Sequence, residues 1–222
     1  MSRIYIPTQS ADEWKQLLAE PERHWRQGFS AYALAHSWQD AGGFPAEVKS
    51  VLSRKFSNLE LLMALVEHKV SLPGGGHPSQ NDIWVFARSG DERISIAVEG
   101  KVAEPFGPTV QAWLTEASPG KSERLEFLRS LLSLSSNSGS MRYQLLHRTA
   151  SAIIEAQRFG AAHAVMLVHS FSQSNEGFQD YEDFVKVMGG SASVNDIASV
   201  GTRGGVSLHL AWVQGNAAYF AN

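Results

Sequence analysis

No cysteine occurs among the 222 residues. Disulfide staples, thiolate nucleophiles and cysteine-ligated zinc are therefore excluded, and the chain fits a reducing compartment. No apolar run approaches the roughly 20 residues that a membrane helix needs. The opening MSRIYIPTQSADEW is polar and has no apolar signal core. A cytoplasmic protein that does not engage a membrane is expected. Positive charge is scarce as well: 19 Lys and Arg against 22 Asp and Glu leave a net charge of −3. Proteins that grip nucleic acid without regard to sequence are usually basic, so this balance counts against strong backbone binding and leaves only a locally basic groove. Neither a GxSxG nor an HExxH string is present, which argues against a serine hydrolase and a zincin.

What is present is a composition with 43% hydrophobic residues, enough to bury a real core in one large domain. Residues 1–9 read as an extended lead-in. Ser10 or Asp12 can cap a helix that Pro21 stops. A second helix carries Phe29, Ala33, Leu34, Ser37 and Trp38 at helical spacing and ends at Gly42-Gly43. Pro45 opens a third. Asn58 is expected to cap a fourth, with Leu59, Leu62, Met63, Val66 and Val70 as its apolar stripe. The aromatics Trp14, Trp25, Phe29, Tyr32, Trp38 and Phe44 read as core.

Val70–Leu72 is expected to begin a strand that breaks at Pro73-Gly74-Gly75-Gly76. Two strands with a turn between them follow. A helix over TVQAWLTEA, another over SERLEFLRSLLSL, a loop at Ser135–Ser140 and a long helix from Met141 to Gly160 come next. Ala164–Phe171 is a continuous apolar run of strand length, suited to a buried central strand. In the segment from Ser172 to Ser199, Glu176, Asp180, Glu182, Asp183 and Asp196 face only Lys186, and a helix over YEDFVKVM is expected. Gly205–Val213 alternates and reads as a late strand. The whole is α/β, a mixed central sheet flanked by helices with an N-terminal helical extension. It forms a single domain: residues 1–57 the extension, 58–171 the core, and 172–222 the acidic helix and late strand.

The chemistry concentrates between Gly74 and Gly107. Asp82 opens one strand; Glu99 and Lys101 end its partner. Side chains alternate along a strand, so Glu99 and Lys101 point the same way and Gly100 the other. In a hairpin the start of one strand lies beside the end of the next. Asp82 should then meet Glu99 and Lys101, a set able to hold a divalent metal and activate a water. Four Asp/Glu-x-Lys triplets occur, at Glu13, Glu47, Glu67 and Glu99. Three fall on expected helices, where positions two apart do not face each other. Only Glu99 and Lys101 lie in an apolar strand, where an ion must be paired or functional; the bland alternative is a solvated strand end. On the long helix, Gln144, His147, Arg148 and Ser151 share a polar face, and Arg148 is the expected phosphate contact.

Other strings carry less. Pro119-Gly120-Lys121-Ser122 ends like a phosphate-binding loop, but Thr115 replaces the required first glycine and a helix precedes it. Gly74-Gly75-Gly76 reads as a flexible turn that could touch substrate as a lip. His77 could reach the site from the same loop. His163 and His169 read as hydrogen-bonded core residues.

The order helix, strand, Asp82 strand, Glu99-Gly100-Lys101 strand, helix, buried strand resembles the PD-(D/E)xK superfamily, the restriction-endonuclease-like fold. The resemblance covers about Asn58 to Phe171 and looks like an uncharacterised bacterial family within it; Asn81 stands where proline is common. It implies Mg²⁺ or Mn²⁺ held by Asp82, Glu99 and the Gly100 carbonyl, with a helical glutamate, Glu60 or Glu67, assisting. Lys101 would orient or deprotonate the attacking water. Gln144, or one turn on His147 and Arg148, would support the site. The implied activity is metal-dependent hydrolysis of a phosphodiester, by a nuclease whose expected substrate is nucleic acid, DNA ahead of RNA; cutting both strands of a duplex would suit a homodimer. The alternatives are a catalytically silent nucleic-acid- or protein-binding module on the same fold, and an enzyme for a small phosphorylated molecule.

Overall fold

The computed structural model describes residues 8–18, 20–134 and 138–221. The expected lead-in at residues 1–7 and part of the Ser135–Ser140 loop lie outside these. In chain order come α1 (Ala11–Trp14), a 3₁₀ turn (Lys15–Leu17), α2 (Pro21–His24), α3 (Ser30–Ala41) and α4 (Ala46–Leu52). Three strands follow: β1 (Leu59–Val70), β2 (Ser79–Ser89) and β3 (Glu92–Lys101). Then come α5 (Val110–Trp113), α6 (Pro119–Leu132), α7 (Tyr143–Phe159), β4 (His163–Ser170), α8 (Phe178–Val187), β5 (Asp196–Arg203), β6 (Val206–Gln214) and α9 (Ala218–Ala221).

The six strands form one mixed sheet in the order β1-β2-β3-β4-β6-β5. β1, β2 and β3 are an antiparallel meander, β4 joins parallel to β3, and β6 joins parallel to β4. The two faces bury separate apolar layers. α6, α7 and α8 cover one with Leu128, Leu145, Ile153 and Phe184; α1, α3 and α4 cover the other with Leu34, Trp38, Val48 and Leu52. β4 is buried on both faces, as its continuous apolar run predicts. Strand alternation assigns the faces of the meander. Trp84 donates to Ser95 Oγ at 2.9 Å and Ser95 donates to the Ala152 carbonyl at 2.9 Å. Ser95, Ala97, Glu99 and Lys101 therefore share the face beneath α7.

The largest departure from expectation is at residues 59–70, which form the edge strand β1 and not a helix. Leu59, Leu61, Leu62, Met63, Ala64, Leu65 and Val66 are apolar almost throughout, so the run satisfies period 2 as well as 3.6. Pairing with β2 over ten residue pairs, from Leu59↔Ser89 to Val70↔Ser79, outweighs the helix propensity of Leu and Met. Asn58, with φ 51°, turns the chain into the strand and caps nothing. Val70 ends a strand where a beginning was expected. Glu67-His68-Lys69 is thus on a strand, and the glutamate sought on a helix comes from β1.

Smaller corrections concern the ends. The first helix is one α-turn followed by a 3₁₀ turn, Ser10 makes no side-chain capping bond, and Pro21 starts α2. The helix at TVQAWLTEA shrinks to the single turn of α5. Phe29 is 43% exposed and not core. β5, absent from the expectation, pairs with β6 and carries an irregularity between Ser199 and Thr202. The long helix ends as expected, with Gly160 left-handed at φ 61°.

Candidate functional site

The meander sets three carboxylates in a row. Val66 pairs with Ile83 and His68 with Asn81, so Glu67 stands opposite Asp82. Ile83 pairs with Val98, which places Asp82 opposite Glu99. Glu67 sits at φ 53° and breaks the alternation of β1. His68 consequently packs tilted against Trp84, with ring centroids 5.1 Å apart, and Glu67 accepts a hydrogen bond from the Gln80 amide. Asp82 Oδ2 accepts from the Gly100 backbone N–H at 2.7 Å, which ties β2 to the end of β3.

Glu99 is the hub. Lys101 Nζ lies 3.0 Å from its Oε1. Gln144 donates to the same oxygen at 2.6 Å and accepts from Lys101 at 3.1 Å. Arg148 Nε donates to Glu99 Oε2 at 2.5 Å, and another guanidinium nitrogen is 3.9 Å from Asp82 Oδ1. Glu99 and Lys101 are each 5% exposed at the side chain, whereas Asp82 is 25% exposed and opens the row to solvent. Gln144 and Arg148 are one turn apart on α7, so both reach the sheet. His147 lies between them and turns away, with Nδ1 2.7 Å from Ser79 Oγ.

The structure thus brings together Glu67, Asp82, Glu99, Lys101, Gln144 and Arg148. Glu60 is at the other end of β1, paired with Arg88 at 2.7 Å, and takes no part. His77 lines a neighbouring cavity and not the acid row. His169 is a core residue as expected: it accepts from Trp38 at 3.2 Å and lies 3.2 Å from Glu47. Ser170 is a member that sequence reasoning missed. It pairs with Lys101 across the parallel ladder, and its buried hydroxyl makes no hydrogen bond among the described residues. Only a register fixed by the folded sheet could have found it.

A family model, the domain of unknown function DUF6946, matches residues 7–217. The chain belongs to this family. No curated protein and no solved structure matches it. The DUF6946 match takes in all six strands and the helices on both faces of the sheet.

Electrostatics in this DUF6946 chain follow from the count of charges: three carboxylates against Lys101 and Arg148. Burial, then the charge of Glu99, holds the Asp82 carboxyl well above the usual carboxylate range. Burial likewise pushes Glu67 up to about 7. Burial works in the same direction on Glu99, but Arg148 and Lys101 outweigh it and keep that carboxylate low. Arg148 is held above its usual value: burial opposes its charge, and Glu99 and Asp82 more than offset it. Burial and the nearby cations Arg148, Arg124 and Lys101 hold His147 well below 6.5, so it is neutral. As the side chains stand, no three His, Cys, Asp or Glu among the described residues form a ready metal cluster. No helix of the described residues is long and apolar enough to cross a membrane.

Proposed function

We propose that this chain is a metal-dependent phosphodiesterase of the PD-(D/E)xK nuclease type, acting on nucleic acid, DNA ahead of RNA. One observation carries the reading: Glu67, Asp82 and Glu99 stand in a row across three adjacent strands, with Lys101 3.0 Å from Glu99 at its end. The donor set suits a hard divalent ion. Its ligating atoms are oxygens, and a bound cation would favour the ionised forms of Glu67 and Asp82, which burial now disfavours.

Asp82, Glu99, the Gly100 carbonyl and Glu67 would hold Mg²⁺ or Mn²⁺. When bound, the ion would lower the pKa of a water and offset charge gathering on the phosphate. The remaining work falls to side chains. Lys101 orients the attacking water. Gln144 bonds to both Lys101 and Glu99 and fixes their separation. Arg148 presents a planar fork suited to phosphate oxygens. The Ser170 hydroxyl beside Lys101 is free to accept or donate one further bond.

One feature favours a catalytically silent binding module on the same fold. Both Glu99 oxygens are already bonded, by Lys101, Gln144 and Arg148, so the cluster is satisfied by the protein alone. Calorimetric titration of Mn²⁺ into the wild type and Glu99→Gln, followed by cleavage assays on single- and double-stranded DNA and RNA, separates the two. The nuclease reading expects binding and cleavage in the wild type and loss of both in the variant. Absence of Mn²⁺ binding at millimolar ion rejects it and leaves the silent module. Sedimentation with duplex present tests whether the active species is a homodimer.

A further inference from the structure

A cavity of about 380 Å³ opens beside the acid row, and the hydrolytic chemistry above makes no use of it. Three segments far apart in sequence build it: the glycine-rich loop after β1, α5 with the start of α6, and the start of α7. Trp113 and Tyr143 form an aromatic wall, their rings parallel within 9° and 4.0 Å apart. Lys121 lies over Trp113, 5.4 Å from the ring centroid, and donates to the Trp113 carbonyl at 2.8 Å. Arg124 donates to the carbonyls of Pro73 at 2.9 Å and Gly75 at 3.2 Å, which holds the loop in place. His77 and His147 complete the lining.

No Asp or Glu among the described residues lines this cavity. Among the described residues neither Lys121 nor Arg124 forms an ion pair with a carboxylate; their partners are neutral, backbone carbonyls and, for Arg124, also the Tyr143 hydroxyl. Two uncompensated cations therefore face a partly aromatic space. A wholly apolar ligand would leave both charges desolvated without a counter-charge, and a cation would be repelled. An anion that also carries a flat ring satisfies both features. The cavity shares a wall with the acid row. Ser79 lines it and accepts from Arg148 at 3.3 Å, while His147 lines it one residue before Arg148.

We propose that this cavity binds one nucleotide unit, with the base against the Trp113–Tyr143 wall and the phosphate against Lys121 and His77. Its role as a substrate pocket rests on the phosphodiesterase reading; its capacity to bind a nucleotide does not. The volume lies near the lower end of the roughly 300–1,000 Å³ of ligand cavities. It admits one nucleotide and excludes a duplex. A nucleic-acid substrate must therefore offer an unstacked nucleotide, at a strand end or flipped from a helix.

The test is binding of 5′-dAMP to the full chain in EDTA, followed by tryptophan emission and calorimetry, with deoxyadenosine and inorganic phosphate as separate probes. We expect dAMP to bind more tightly than either fragment. Lys121→Ala should weaken dAMP roughly tenfold and leave deoxyadenosine unchanged, whereas Trp113→Ala should weaken both by a similar factor. Lys121 is half-buried in the first turn of α6 and is no core side chain, so that variant keeps the test sound if Trp113→Ala unfolds. Absence of dAMP binding at roughly 10 mM, a range that corresponds to less than about 3 kcal/mol, would overturn the proposal. So would phosphate binding as tightly as dAMP, or indifference to Lys121→Ala. Glu99→Gln, which removes cleavage on the phosphodiesterase reading, should leave dAMP binding intact. A chain that binds dAMP but cleaves nothing keeps the pocket and loses the nuclease. One that cleaves but ignores dAMP does the reverse.

Discussion

Glu67→Gln should stabilise the metal-free protein, and only at neutral to alkaline pH. Glu67 titrates near 7 in the fold, and its ordinary value is 4.5. Between those two values the folded state holds a proton that the unfolded chain has released. Stability therefore falls as pH rises through this window, and the loss is complete above about pH 7. The gap of about 2.5 units corresponds to at most about 3.4 kcal/mol at about 1.36 kcal/mol per unit. Partial access of solvent to the row and sharing of the charge with Asp82 reduce this to roughly 1.5 kcal/mol. For a chain of this size that is a Tm difference of about 3–6 °C. The amide keeps an oxygen for the Gln80 bond, so the change removes charge and little else. Thermal melts in EDTA should coincide for wild type and variant near pH 5 and separate near pH 8, with the variant higher. Mn²⁺ near pH 8 should then raise the wild type more than the variant, the wild type by about 2.7 kcal/mol at a hundredfold excess over its own Kd. Equal melts at both pH values, or a lower melt for Glu67→Gln at the higher one, would refute the argument that burial, with Glu99 nearby, holds this proton.

Three further outcomes follow from the same geometry. Lys101→Met should lower hydrolysis roughly 10²- to 10⁴-fold while Mn²⁺ binding by calorimetry persists, since Asp82 and Glu99 remain; loss of ion binding would remove Lys101 from the water step. Arg148→Ala should cost about 3–5 kcal/mol in urea melts, because it leaves Glu99 Oε2 buried without its partner, and Mn²⁺ should recover part of that loss by replacing the lost positive charge. Gly74→Ala should cost at least about 1–3 kcal/mol for its φ of 74° alone. The added methyl would also fall 2.8 Å from the Arg124 backbone nitrogen and against the Gly120 carbonyl oxygen, so the urea midpoint should drop and dAMP binding should fail with it.

The Asp82–Glu99–Lys101 grouping was legible because a hairpin needs only two facts, strand alternation and a short turn, to bring those positions together. The polar face of α7 was legible for a similar reason: Gln144 and Arg148 are one helical turn apart, and Gly160 marks the end. β1 was not legible. Its apolar residues fit both periods, and the choice between them was made by β2, whose paired residues lie from nine (Val70↔Ser79) to thirty (Leu59↔Ser89) positions further along the chain. Glu67 was placed on the wrong element, since its left-handed backbone is a property of the paired strand. The cavity was hidden for another reason. Pro119-Gly120-Lys121-Ser122 is no phosphate loop: it caps and opens α6, with Ser118 accepting from the Lys121 N–H at 3.2 Å. Yet Lys121 still reaches the cavity, because α6 packs beside the loop that follows β1. β5 was lost in an acidic, glycine-containing stretch whose pairing is itself irregular.

The contact between Gly74 and Gly120 links two sites in the history of the sequence as well as in space. A side chain at either position would strike the backbone of the other, and neither neighbour has an atom it can swing aside. A change at one cannot be compensated by a change at the other, because both must be bare for the loop and helix to touch. Among sequences of this family, positions 74 and 120 should therefore be glycine together. Where one is not, the loop-to-helix contact, and the cavity wall built on it, should be gone from that lineage.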